Sequence, residues 1–419
     1  MSEYKINRME TTKLMGPMVD EYWRNIREAK ENGKLVSWGA GGPIGLILGR
    51  AIGGIEPHFY GTYVSYVAGR GSAGELLDAA NAAGYLPETC SYIRVHVGLM
   101  HKYLNNEPIR EDTRIPLPDV ILAGRVCSEQ VHIYEAIGRR LDIPVIVIDQ
   151  PVSSFEPTEN RIRHLERQIR EVAIPQLEKI TDRRFNEDRL GEILLDLKET
   201  AIIRNQCWEL MKQIPAPCTL TDYGVSMAPL IMRAGMPGNV EYYRKFKAEL
   251  EQRIAQGIPA IAPRENYRIL WDGWIPWAYL GFYSRLLTSY GAIAITGRYP
   301  FEMFPHPYSI LVNEGPIRAL ARQLITGLLV NNYPFHARRV TARLIEDYSI
   351  DGIIWYQSRT CKLWSLGQPD MLREMEQRFG IPGVIIEDDN VDPKFHSEAQ
   401  IQTRLQALFE RLDARRKSI

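Results

Sequence analysis

The chain has 419 residues, of which 45% are hydrophobic, with 51 basic against 51 acidic side chains. That composition supports a large buried core divided over two or three domains, and the balanced charge argues against nucleic-acid or anionic-membrane partners. No apolar run approaches the roughly 20 residues that span a bilayer, the first residues carry no apolar signal segment, and five scattered cysteines do not make a disulfide framework, so a cytoplasmic protein is expected.

Residues 11–32 read as a polar-faced helix leading into an apolar strand, Lys34 to Trp38, and then the turn Gly39-Ala40-Gly41-Gly42-Pro43, with a helix to follow at 44–51. Gly39, Gly41 and Gly42 are candidates to cradle a phosphate at that helix's N-terminus. The turn is no G-x-G-x-x-G fingerprint, and a plain tight turn is the commoner use of such glycines. His58, in Glu56-Pro57-His58-Phe59-Tyr60, is expected in a loop, where it would exchange protons near neutral pH; a surface histidine is the plainer alternative. Cys90 falls in a turn between the helical patterns of 72–83 and 92–103.

Two later stretches share one layout. Asp119 to Ala123 is an apolar strand followed by Cys127, a helix from Ser128 to Leu141, the step Ile143-Pro144 and the strand Val145 to Asp149. Asp351 to Trp355 is followed in the same way by Cys361, a helix, Ile381-Pro382 and the strand Val384 to Glu387. Short apolar runs around an amphipathic helix read as βαβ units in a parallel sheet, and ligands in such sheets bind beyond the strands' carboxyl ends. Between the two units, Arg161 to Thr181 and Glu187 to Gln213 carry only helical periodicity. Another strand is expected near Tyr267 to Trp271, with helices at 277–288, 316–330 and 396–413. Trp271, Trp274 and Trp277, three apart, mark a core or interface more often than a substrate pocket.

The fold class expected is α/β: two open parallel-sheet domains of Rossmann or flavodoxin type facing a cleft, joined by a helical layer. The boundaries predicted are an N-terminal helical segment at 1–32, a first α/β domain at 33–158, helices at 159–258 and a second α/β domain at 259–419.

Cys90, Cys127 and Cys361 all stand at loop-to-helix junctions, where a thiol shifts toward the thiolate that ligates metal. Cys207 lies mid-helix and reads as a small buried hydrophobe; Cys218, in Pro215-Ala216-Pro217-Cys218-Thr219, is ambiguous. Three such thiolates suit iron or zinc. Zinc prefers paired spacings that are missing here, whereas an iron–sulfur cluster accepts scattered ligands, four being usual. Three would leave one iron open as a Lewis acid.

The segments Gly84-Tyr85 to Cys90-Ser91-Tyr92, Leu122 to Cys127, Asp351 to Cys361 and Ser397 to Arg404 resemble, in order and over nearly the whole chain, the 2-hydroxyacyl-CoA dehydratase and benzoyl-CoA reductase family. The resemblance implies an oxygen-sensitive heteromer in which each of two related subunits holds a [4Fe-4S] cluster by three cysteines, here Cys90, Cys127 and Cys361, with one iron open. It further implies an ATP-hydrolysing iron–sulfur activator as electron donor and an acyl-CoA or aryl-CoA thioester reduced by one-electron ketyl radical chemistry. In the family's dehydratases a serine and a glutamate serve the substrate. Here the matching stretches are Trp38-Gly39-Ala40-Gly41-Gly42, where a glycine replaces the serine with Ser37 close by, and Pro57-His58-Phe59-Tyr60-Gly61, where His58 replaces the glutamate, which favours a reductase-like subunit with His58 as proton donor, or a dehydratase's electron-relaying partner. Two other readings stand beside it: a pure electron-transfer protein whose fourth cluster position is closed, for example by Cys218, and a metal-free CoA-binding or scaffolding relative.

Overall fold

The structure, a computed structural model, describes residues 4–39, 43–151, 157–302, 309–326 and 334–418. Its strands are β1 (Lys5–Ile6), β2 (Leu35–Gly39), β3 (Ile55–Phe59), β4 (Val120–Gly124), β5 (Val145–Ile148), β6 (Ile261–Ala262), β7 (Tyr267–Asp272), β8 (Ala292–Thr296), β9 (Gly352–Ser358) and β10 (Gly383–Asp388). They form two four-stranded sheets, ordered β3-β2-β4-β5 and β10-β9-β7-β8, and every pairing within them is parallel. The expected α/β fold with two parallel sheets is what the chain adopts.

These strands are runs of Val, Ile, Leu and Ala buried on both faces, the pattern of a sheet covered by helices on either side. Side chains alternate across the sheet. In β2, Val36 and Trp38 enter a core shared with the helices Met15–Arg27, Tyr60–Gly69 and Ser91–Leu104, which leaves Ser37 on the opposite face. A larger core lies under the helices Ile44–Ile52, Glu187–Leu210, Asn239–Gln256 and Pro316–Thr326 and continues into the second sheet. A third fills the far side of that sheet beneath the helix Glu398–Ser418. The chain's start is tied to its middle: β1 pairs antiparallel with β6, and Glu249 accepts the backbone N–H groups of Glu10 and Thr11 at 2.7 and 2.8 Å.

Four strands escaped the sequence reading: the two-residue β1 and β6, and two strands of the main sheets, β3 and β8. β3 holds His58, which was expected in a loop because Pro57 precedes it. β3 is the edge of its sheet and pairs only with β2, and an edge strand tolerates a proline whose missing N–H would face away from the ladder. β8 follows a glycine turn too closely for its five residues to stand out. The helix Tyr60–Gly69 was also missed, because its aromatic and β-branched residues carry no strong helical preference.

Glycine sets one contact on which the site depends. A Cβ on Gly98 would stand 1.8 Å from the Leu76 carbonyl oxygen, so the helices Ala73–Ala82 and Ser91–Leu104 touch backbone to backbone. Their connecting turn carries Cys90.

Candidate metal centre and adjoining cavity

Cys90, Cys127 and Cys361 are the N-cap residues of the helices Ser91–Leu104, Ser128–Leu141 and Lys362–Ser365. Cys127 lies three residues beyond β4 and Cys361 three beyond β9, at the carboxyl ends of two different sheets, where open α/β folds place their chemistry. All three are free thiols and half-buried. They converge: Cys90 feels the charge of both Cys361 and Cys127, and Cys361 feels that of Cys127.

Their titration runs against the sequence expectation. Burial, and then the neighbouring thiols, push Cys90 well above the ordinary thiol range; burial raises Cys127 and takes Cys361 up to about 11. The N-cap positions are as expected, but a helix terminus offers a fraction of a charge. Burial, the first cause at all three thiols, outweighs it, and neighbouring thiols add to the rise at Cys90 and Cys361. A cationic group bound among them reverses this balance and releases the protons.

Hydrogen bonds fix the three loops on one another. Glu129, two residues past Cys127, accepts the Cys90 N–H at 3.1 Å. Thr360, one residue before Cys361, accepts the Ser91 N–H at 3.1 Å through its hydroxyl, which donates to Asp389 Oδ2 at 2.7 Å. Asp389 also takes the Thr360 N–H at 3.3 Å, the Ser358 hydroxyl at 3.3 Å and the N–H groups of Val391 and Asp392 at 3.0 and 2.9 Å. Beside it Arg94 meets Asp392 at 2.6 Å with both side chains fully buried, while donating to Thr89 O and Asn81 Oδ1 at 3.1 Å each. None of these supporting residues was singled out from the sequence. The one available signal was the acidic run Asp388-Asp389-Asn390 directly after a strand.

Among the described residues, no three His, Cys, Asp or Glu side chains are drawn closely enough to hold a single metal ion. The ligands of a multi-iron cluster bind different irons and stand further apart than those of one ion. Three thiols on loops tied to one another are a donor set that iron and sulfide accept. Cys207 and Cys218 are buried together in the helical layer, where burial raises both.

An apolar cavity of about 140 Å³ opens beside the thiols. Tyr92 and Trp274 form the wall nearest them: Tyr92 follows Cys90 by two residues, and Trp274 stands near enough to Cys361 to draw its thiol down against the effect of burial. Trp277 and Tyr60 also line it, whereas Trp271 is core. The tryptophan triplet thus divides between core and pocket.

His58 lies behind this wall, in register with Trp38, whereas Ser37 is on the opposite face of β2; each is 1% exposed. His58 Nδ1 is 3.3 Å from the Tyr22 hydroxyl, and its ring is 5.8 Å from that of His96, which is 5.7 Å from that of Tyr60. Burial, aided by His96, holds His58 well below the usual histidine value, and burial takes His96 down to about 4. Gly39 packs against β4, where a Cβ would stand 2.3 Å from Leu122 O; Gly41 and Gly42 lie outside the described residues.

The histidine pair makes stability pH-dependent. Both stay neutral in the fold while the unfolded chain takes up protons near 6.5, so stability is full above that pH and declines below it. Each buried histidine contributes a slope of about 1.4 kcal/mol per pH unit. Urea denaturation at pH 7.5, 6.5 and 5.5 should show this loss, and His96→Phe should flatten the decline; a variant profile parallel to the parent's would refute the assignment.

Two parallel α/β sheets that each present a thiol at their carboxyl ends, with a third thiol from a turn between helices and an apolar cavity near them, define the class. Within it the chain belongs to the 2-hydroxyglutaryl-CoA dehydratase D-component family, whose model matches residues 48–412. It is 28% identical over 421 residues to the alpha subunit of the lactoyl-CoA dehydratase of Anaerotignum propionicum, covering 97% of both chains. It is likewise 28% identical over 425 residues to the (R)-2-hydroxyisocaproyl-CoA dehydratase alpha subunit of Clostridioides difficile, covering 100% of this chain and 98% of that one. A benzoyl-CoA reductase subunit of Thauera aromatica is 27% identical over 359 residues, 82% of this chain and 81% of its own. The resemblance read from the cysteine segments is borne out, and the chain belongs with subunits of enzymes.

Proposed function

We propose that this chain is the iron–sulfur subunit of a heteromeric complex that processes acyl-CoA or aryl-CoA thioesters, with Cys90, Cys127 and Cys361 holding a [4Fe-4S] cluster. The three cysteine loops, two at the strand ends of different sheets and one between helices, are tied together by hydrogen bonds beside each cysteine, and this carries the reading. When bound, such a cluster supplies one-electron reduction and an iron free to take a carbonyl oxygen. Glu129, Thr360 and Asp389 hold the three loops at a fixed spacing. Tyr92 and Trp274 screen the thiols from water on the cavity side and shape the space for the acyl group. His58 supports the wall from behind through His96, and the Tyr22 hydroxyl accepts the Phe59 N–H at 3.2 Å, which holds the step from β3 into Tyr60; Ser37, on the far face of β2, has no part in it. The partners proposed are a related iron–sulfur subunit and an ATP-hydrolysing activator; the cavity favours a substrate-handling subunit over an electron relay.

The test is the reduced complex's EPR spectrum, recorded without oxygen before and after adding an acyl-CoA. A shift in g-values that Trp274→Ala weakens is expected. A spectrum indifferent to every CoA ester would mean that no substrate approaches this chain's metal.

A further inference from the structure

The cavity beside the thiols is apolar on every side. Among the described residues none that lines it is charged. Its walls are aromatic rings and aliphatic chains, among them Tyr60, Tyr92, Trp274, Trp277, Ile231 and Met232. The polar groups at its edge are turned elsewhere: Thr62 donates to Phe59 O at 2.6 Å, Ser65 to Thr62 O at 2.9 Å, and Trp277 Nε1 to the Tyr92 hydroxyl at 3.0 Å. Tyr92 Oη also accepts Asn390 Nδ2 at 3.0 Å. With two N–H groups on its lone pairs, what that hydroxyl has left is a proton, one donor for the thioester carbonyl at this end of the cavity. A carboxylate entering this space would find no cation among the described lining residues, and burying one unpaired is costly.

The volume narrows the choice further. A cavity of about 150 Å³ with apolar walls accommodates benzene, and this one measures about 140 Å³. We infer that the thioester handled here carries an uncharged, apolar acyl group the size of one ring or a branched chain of five or six carbons, seated between Tyr60, Ile231 and Trp277 with its thioester end at Tyr92 and Trp274. This rests on the acyl-CoA reading above and names the substrate class for that site. It sets the chain apart from any relative whose acyl group ends in a carboxylate.

Equilibrium binding by calorimetry on the oxygen-free complex, without reductant, tests it with 3-phenylpropanoyl-CoA, 4-methylpentanoyl-CoA, acetyl-CoA and glutaryl-CoA. The first two should bind tighter than the last two by about 10- to 200-fold, the range expected of apolar-pocket discrimination. Ile231→Arg, at a half-buried position, should reverse the preference between glutaryl-CoA and 4-methylpentanoyl-CoA. Glutaryl-CoA binding the parent as tightly as the apolar esters would overturn the inference while leaving the acyl-CoA reading in place. Failure of all four esters to bind better than free CoA would overturn both.

Discussion

Arg94→Leu should be the most damaging single change in the chain. Its guanidinium is fully enclosed, paired with Asp392 at 2.6 Å and bonded to Thr89 O and Asn81 Oδ1. Removing it strands the Asp392 carboxylate in the interface between the first sheet's helices and the strand ends of the second. Breaking a buried pair from one side costs about 3–5 kcal/mol, whereas replacing both partners by apolar groups is often nearly neutral. Urea denaturation should therefore show a large loss for Arg94→Leu and recovery of much of it in Arg94→Leu/Asp392→Leu. A single variant within about 1 kcal/mol of the parent, the size expected of exposed pairs, would show that the pair does not hold the two halves together.

The second large effect is expected at Asp389. Its carboxylate gathers two hydroxyls and three backbone N–H groups at 2.7 to 3.3 Å from the loops that follow β9 and β10. Asp389→Ala leaves these buried donors unmatched, at about 1–3 kcal/mol for each that water cannot reach. The damage should be local: the amides of Arg359 to Lys362 should exchange hydrogen much faster, and iron bound by the oxygen-free protein should fall with them. Glu129→Gln, which keeps an acceptor for the Cys90 N–H, should do far less. Unchanged exchange at Cys361 in Asp389→Ala would show that the Thr360 to Asp389 bond does not position that loop.

These two sites also show where a sequence stops being readable. The cysteines stood out because each follows an apolar strand or a helical turn, and strand periodicity together with the chemistry of thiols is local information. Arg94, Thr360, Asp389 and Asp392 are ordinary polar residues, and their roles arise only where partners up to 298 positions apart meet. Charged residues are rarely buried without a partner, so Arg94, flanked by Ile93 and Val95, was the kind of residue worth suspecting. His58 illustrates the reverse. Its neighbour Pro57 argued for a loop, but the edge of a parallel sheet accommodates that proline, and the histidine becomes an enclosed neutral ring. The direction of the thiol shifts was likewise beyond local reasoning, because it depends on three loops crowding one cleft. The cavity was only half legible: the tryptophans were visible, but which of them faced open space was decided by the docking of Tyr60 and Ile231 from other parts of the chain.

The central claim is that Cys90, Cys127 and Cys361 share one iron–sulfur cluster, and iron and acid-labile sulfide content of the oxygen-free protein tests it most directly. The account predicts about four irons and four sulfides per chain, lost together in each of Cys90→Ser, Cys127→Ser and Cys361→Ser and retained in Cys207→Ser. Full iron and sulfide in Cys361→Ser, or none in the parent protein, would contradict it.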